Sequence, residues 1–204
     1  MQIKHFYKQG THKDAPVLLL LHGTGGTEKD LLPVANMIDP EASVLGVKGN
    51  VSENGMARFF RRLREGVFDE EDLVARTEEL YEFLNEAAST YQFDRNNVVA
   101  VGYSNGANIA GSLLFHYASS LDRAILFHPM VPRRGIELPN LNGTDVFIGA
   151  GTNDPLINST ETEELEQLLT DAGAQVTVHW ENTGHQLSER EVLHAKSWYS
   201  KERN

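Results

Sequence analysis

The sequence predicts an α/β protein built on an open, mostly parallel sheet with helices on both faces. Three observations carry this. Short continuous apolar runs, such as "APVLLLLHG" (15–23) and "NVVAVGYS" (97–104), have the composition of strands buried on both sides. Amphipathic stretches separate them. The longest, Glu70 to Tyr91, sets Leu73, Thr77, Leu80, Leu84, Ala87 and Tyr91 on one helical face. The two patterns alternate along the chain, as the βαβ units of a parallel sheet require.

In order, "IKHFYKQG" (3–10) reads as an antiparallel edge strand, and 15–23 as the first long inner strand. Asp30 to Ile38 follows as a helix, with Thr27 and Asp30 forming a capping-box-like start. "ASVLGVKG" (42–49) is the next strand. Residues 50–68 fit neither period and are expected to form a long loop with at most a short helix. A loop of that length in a compact domain usually serves function. After the long helix come the strand 97–104 and a helix from Asn105 to Tyr117. "DRAILFHP" (122–129), "TDVFIGAG" (144–151) and "QVTVHW" (175–180) complete the strands, with helices from Ser159 to Ala172 and from Ser188 to Tyr199. With no repeat or linker, residues 1–204 read as one domain without a separate lid.

Composition narrows the function. A formal net charge of -11 argues against nucleic acid and against an anionic membrane surface as partners. No apolar run approaches the roughly 18 residues of a membrane helix, and no signal-peptide pattern opens the chain, so a cytoplasmic location is expected. The cysteine count of zero removes disulfides, thiolate nucleophiles and Cys-based metal sites. No histidine pair has the H-E-x-x-H spacing, so neither metal nor cofactor is expected.

The chemistry is carried by strand ends. Gly102-x-Ser104-x-Gly106 lies where "VVAV" gives way to the alanine-rich "NGANIAG", the strand–turn–helix context of a nucleophile elbow. Asp154, in "GTND", and His185, in "TGHQL", each follow a predicted strand. Ligands bind at the carboxyl ends of parallel strands, and the chain order Ser, Asp, His is that of an α/β-hydrolase triad. A serine hydroxyl needs a neutral imidazole to take its proton, and the imidazole needs a carboxylate to fix its tautomer. The glycine-rich exit "HGTGG" (22–26) offers the Thr24 N–H as one oxyanion donor, with the Asn105 N–H, directly after the serine, as the other. The rival imidazoles at strand ends are His128 and His22; His22 precedes the glycine turn and reads as its brace. Asp145 starts a strand at the wrong end, and Asp171 lies late in a helix. Phe59, Phe60, Phe68 and Met130 are candidates to line an acyl or alcohol pocket. Arg58, Arg61, Arg62 and Arg64 read as a solvated face.

Together "HGTGG", "GYSNGA", "GTND" and "TGHQL" resemble the α/β-hydrolase superfamily. Within it they are similar to the small carboxylesterase/phospholipase group that includes the acyl-protein thioesterases. Residues 53–73, "ENGMARFFRRLREGVFDEEDL", resemble the matching loop of bacterial members linked to quinone stress. Many acyl-protein thioesterases carry a tryptophan in this loop, where this chain has Phe59 and Phe60. Dienelactone hydrolases of similar size typically use a cysteine nucleophile, which this chain lacks. The resemblance implies cofactor-free hydrolysis of small carboxylic esters through an acyl-enzyme on Ser104. The alternatives are lysophospholipase or thioesterase activity, or a ligand-binding protein that keeps the fold without turnover. The expected partner is a small-molecule ester and, at most, a second copy of the chain.

Overall fold

A computed structural model describes residues 2–201 of the chain. In chain order it begins with β1 (His5–Lys8), β2 (Val17–Leu21), α1 (Leu32–Ile38) and β3 (Ser43–Val47). Four short strands follow: β4 (Val51–Glu53), β5 (Met56–Arg58), β6 (Arg62–Arg64) and β7 (Val67–Phe68). The middle of the chain holds α2 (Glu70–Tyr91), β8 (Val98–Tyr103), α3 (Asn105–His116) and β9 (Arg123–Phe127). It ends with β10 (Asp145–Gly151), α4 (Ser159–Asp171), β11 (Gln175–Glu181) and α5 (Glu189–Tyr199).

Seven strands form the central sheet in the order β1-β3-β2-β8-β9-β10-β11. Only β1 runs antiparallel, His5 opposite Val47 at the sheet edge, as expected for the N-terminal segment. All the other neighbouring pairs are parallel. The chain moves outward from β2 to β3, then returns to lay β8 on the other side of β2. The strand order therefore reverses between β2 and β8, which opens a crevice at their carboxyl ends.

The alternation of side chains along each strand divides the core into two layers. Val17, Leu19 and Leu21 of β2 lie in the layer that also holds Leu73 and Leu84 of α2, Leu113 of α3 and Leu165 of α4. Leu18 and Leu20 face α1 and α5, through Ala35, Ile38, Val192 and Ala195. Apolar residues on both faces explain why β2 reads as an unbroken run of leucines.

Helix boundaries follow from caps. Asp69 accepts a hydrogen bond from the Asp72 N–H at the start of α2. At α5, Ser188 and Glu191 form the reciprocal contacts of a capping box. The Thr27–Asp30 pair behaves otherwise. Its hydroxyl–carboxylate bond closes a turn ahead of α1, and that helix begins at Leu32, just before Pro33.

The segment after β3 holds no helix. It folds as two hairpins, β4–β5 and β6–β7. Asn54 and Gly55 sit in the left-handed region at the first tip (φ 52° and 81°), and Gly66 does so at the second (φ 73°).

Candidate active site

The carboxyl ends of five neighbouring strands supply the site. β2 leads to Thr24, β8 to Ser104, β9 to His128, β10 to Asp154 and β11 to His185.

Ser104 occupies a sharp turn between β8 and α3, with φ 53° and ψ −113°. A non-glycine residue here is strained by about 1–3 kcal/mol. Its N–H donates to the Phe127 carbonyl at 2.9 Å, and its own carbonyl accepts from Asn108 N–H at 3.0 Å. The flanking glycines are required by space. A Cβ at Gly106 would sit 1.9 Å from the Leu21 carbonyl oxygen, and one at Gly102 2.7 Å from that of Gly106. The turn thus presses against β2 and the first turn of α3, leaving the serine hydroxyl to project.

The hydroxyl oxygen of Ser104 lies 2.8 Å from Nε2 of His185. Nδ1 of His185 lies 2.8 Å from Oδ2 of Asp154. The other carboxylate oxygen of Asp154 accepts from the N–H groups of Leu156 (2.9 Å) and Ile157 (3.2 Å). Burial alone would raise the Asp154 carboxyl. The bonds from His185, Leu156 and His128 outweigh it and hold the group below the ordinary carboxylate range. Tyr103 fixes the His185 segment by donating its hydroxyl to the His185 carbonyl at 2.9 Å.

The other strand-end imidazole, His128, also approaches Oδ2 of Asp154, through Nδ1 at 3.1 Å. It stands behind Asp154 rather than at Ser104, and its Nε2 lies 2.8 Å from Oε1 of Glu191. The sequence marked His128 as a strand-end residue but held no sign of this pairing, since Glu191 belongs to a helix remote in the chain. Asp145 begins β10, away from the site, and Asp171 is bound by Gln167 at the end of α4.

The glycine turn is pinned from three sides. The His22 Nδ1–H donates to the Gly23 carbonyl (2.6 Å), and its Nε2 accepts from Gly49 N–H (3.0 Å). Burial lowers its pKa and favours this neutral form. Gly25 N–H donates to the Ala57 carbonyl at 2.8 Å, and Arg58 Nη1 donates to the Thr24 hydroxyl at 2.8 Å. The Asn105 side chain accepts the Phe59 N–H at 2.7 Å. Among the described residues, the backbone N–H groups of Thr24 and Asn105 have no protein acceptor, and both residues line the same cavity as Ser104.

That cavity holds about 540 Å³. Phe68, Met130, Leu156 and Ile157 form an apolar wall, and Arg58, Arg62 and Glu65 a polar one. Phe59 and Phe60 do not line it. They are 5% and 0% exposed and belong to the core, Phe59 tilted against His22 and Phe60 edge-on to Phe68. Both rings join the apolar layer that holds Leu73, Leu80 and Leu84 of α2, and burial there outweighs any place at the cavity wall. Arg58 departs from expectation as well. It is 4% exposed, bonded to the Phe60 carbonyl and paired with Glu53. Arg61 and Arg64 face solvent, while Arg62 forks onto Glu53 and ties the two hairpins together.

Two clusters among the described residues bring possible metal-ligating atoms together: His128, Asp154 and His185, and His179, Glu181 and His194. The first is committed to the hydrogen bonds above. The second lies on β11 and α5, outside the cavity, where His179 and Arg190 already contact Glu181.

A parallel sheet with a serine on the β8–α3 turn, and aspartate and histidine within hydrogen-bond reach of it, defines an α/β-hydrolase. Residues 51–202 match the dienelactone hydrolase family, and the chain belongs to it. The lack of cysteine argued against this family in the sequence; in this member serine stands at the elbow instead. The chain is 60% identical over 197 residues to "Putative hydrolase MhqD" of Bacillus subtilis strain 168, covering 97% of this chain and 98% of that protein. The solved carboxylesterase of Bacillus cereus superposes with a TM-score of 0.96 at 66% identity, over 97% of this chain and 93% of that one. A carboxylesterase from Mesorhizobium loti gives 0.84 at 29% identity, over 90% and 87%. The protein is a hydrolase. No helix among the described residues is long and apolar enough to cross a membrane.

Proposed function

We propose that the protein is a serine carboxylesterase acting on small carboxylic esters. The observation that carries this is the continuous line from Ser104 Oγ through His185 to Asp154, at 2.8 Å for each contact, opening on the cavity. His185 Nε2 takes the hydroxyl proton as Ser104 Oγ bonds to the ester carbonyl carbon. The carbonyl electron pair moves onto oxygen and is received by the Thr24 and Asn105 N–H groups. When the tetrahedral intermediate collapses, the His185 proton leaves with the alcohol and the acyl group stays on Ser104. Water then repeats the sequence, releasing the acid and restoring the serine.

The similarity to carboxylesterases supports ester as the substrate class. Small esters are the preferred class in this reading, because the apolar side of the cavity is formed by only Phe68, Met130, Leu156 and Ile157. A cytoplasmic location belongs to the same reading, supported by a cysteine-free composition that suits a reducing compartment.

The test is a panel of nitrophenyl esters from acetate to palmitate, run beside acyl-CoA and lysophospholipid. Turnover should peak at short acyl chains, and a fluorophosphonate should label Ser104. Ser104→Ala should lose at least about a thousandfold in kcat while melting normally. Retention of a tenth of kcat in that variant would remove Ser104 from the mechanism. A maximum on acyl-CoA or lysophospholipid would move the substrate class.

A further inference from the structure

We propose that His128 is a positioning residue: a buried imidazolium, clamped between Asp154 and Glu191, that cancels one carboxylate charge behind His185. It thereby lets His185 accept the Ser104 proton at neutral pH. The inference rests on the ester hydrolase reading for its kinetic consequence, though not for the charge state itself.

The charge follows from geometry. Nδ1 of His128 lies 3.1 Å from Asp154 Oδ2, and Nε2 lies 2.8 Å from Glu191 Oε1. The second is a close approach that falls outside hydrogen-bond geometry, and among the described residues neither of its two atoms has another hydrogen-bond partner. Ionised carboxylate oxygens only accept, so a ring with a carboxylate at each nitrogen needs a proton on both. The three side chains are 0%, 2% and 0% exposed for His128, Asp154 and Glu191, so water does not screen them. Two buried carboxylates without a cation would be strongly disfavoured.

Glu191 is built to stay ionised. Its Oε2 accepts from the Ser188 N–H and hydroxyl, each at 2.8 Å, and it sits in the first turn of α5. Burial alone would raise this carboxyl, but the His128 and Ser188 contacts hold it low. Burial alone would likewise lower the His128 ring, but Glu191 and Asp154 outweigh it and raise it. The backbone holds the ring in place as well, since His128 has φ 54° and donates its N–H to the Gly149 carbonyl at 2.7 Å.

The ionisable groups facing the ring come from four directions. They are Asp154 after β10, Glu191 on α5, Tyr103 on β8 with its ring edge-on at 6.1 Å, and His185 with ring centroids 5.3 Å apart. With His128 cationic, the three charges behind His185 sum to one negative. Without it they sum to two. An added negative charge at roughly 6 Å, with an effective dielectric of about 20, favours protonation of the neighbouring ring by about two pH units.

The experiment compares pH profiles of kcat/KM for the wild type, H128N and H128N/E191Q. Asparagine can still donate to Asp154, and glutamine at 191 can keep the capping box, so the variants change charge more than shape. In H128N the acid limb should move up by about one to two units, so that activity falls at pH 7 and recovers at alkaline pH. H128N/E191Q, which removes one charge of each sign, should return the limb to the wild-type position. A wild-type limb in H128N, or a limb still displaced in the double variant, overturns the proposal. A role in packing alone would not move the limb and then restore it. Should H128N not fold, nitrogen-15 histidine spectra of the wild type at pH 7.5 decide. The resonances absent from H128N/E191Q must show both ring nitrogens protonated, and a neutral ring overturns the proposal. This reading needs no turnover, whereas fluorophosphonate labelling of Ser104 tests the hydrolase reading by itself.

Discussion

Asp154 places two imidazoles on a single carboxylate oxygen, His185 at 2.8 Å and His128 at 3.1 Å. Both are donors there, so the oxygen holds His185 in the tautomer that leaves Nε2 free toward Ser104. Asp154→Asn nearly keeps the shape but introduces an amide that can donate, and the His185 ring then settles with the wrong nitrogen protonated. The equivalent change in serine proteases costs about 10⁴ in kcat. A loss of about 10² to 10⁴ with near-normal KM is expected here, read by steady-state ester kinetics. Asp145→Asn, at the start of β10, should stay within a few-fold of wild type. If Asp145→Asn were the crippling change, the carboxylate would have been misassigned. At this scale the sequence was informative wherever a polar residue lay at, or within a few residues of, the carboxyl end of a predicted strand. Ser104, Asp154, His185 and Thr24 all do so, and the fold brings them together. Phe59 and Phe60 were misleading because aromatic identity alone does not tell a cavity wall from a core. Which side of a strand exit a ring takes depends on contacts that sequence spacing does not record.

Apart from the start of α1, which begins at Leu32 rather than Asp30, helices were legible almost to the residue, because their periods are local and their caps lie within the segment. α2 runs from Glu70 to Tyr91 as its apolar face predicts, and Ser188 caps α5. The two hairpins were not foreseen, although Asn54–Gly55 is the strongest short turn signal for a tight hairpin. Their strands are only two or three residues long, too short to show alternation. What stabilises them is side-chain pairing and tertiary contact: Glu53 joins Arg58 and Arg62, Ala57 receives the Gly25 N–H, and Phe60 is sealed beneath. The hairpins therefore brace the glycine turn, with Phe60 as their anchor. Phe60→Ala should destabilise the protein by about 3–5 kcal/mol in denaturant unfolding, while the acyl-length profile of the folded enzyme stays as in wild type. Met130→Ala, on the cavity wall, should do the reverse, shifting that profile with little loss of stability. A changed profile with unchanged stability in Phe60→Ala would return the ring to the pocket.

At the scale of the whole molecule, the parallel sheet follows from alternating elements, but strand order does not. The reversal between β2 and β8 is what sets the Thr24 turn beside Ser104, and it is fixed by which apolar faces pack rather than by any one motif. The same assembly brings α5 against the sheet and closes Glu191 on His128, joining the end of the chain to its middle. This gives the fold a characteristic dependence on pH. Glu191 titrates below its ordinary 4.5 when folded, so its contribution is present above that value and is lost as pH falls through the lowered one. His128 titrates above its ordinary 6.5, so its contribution is present below that value and is lost as pH rises through the raised one. The margin in Tm of wild type over H128N/E191Q should therefore be widest between pH 4.5 and 6.5 and shrink on either side. The two proteins carry the same charge in that window, because the variant loses one cation and one anion. Self-repulsion from the chain's net charge then cancels in the comparison. Thermal melts of both proteins from about pH 4 to pH 9 read the margin directly. A margin that stayed flat with pH would mean that the two groups meet as neutral partners and that the buried ion pair does not exist.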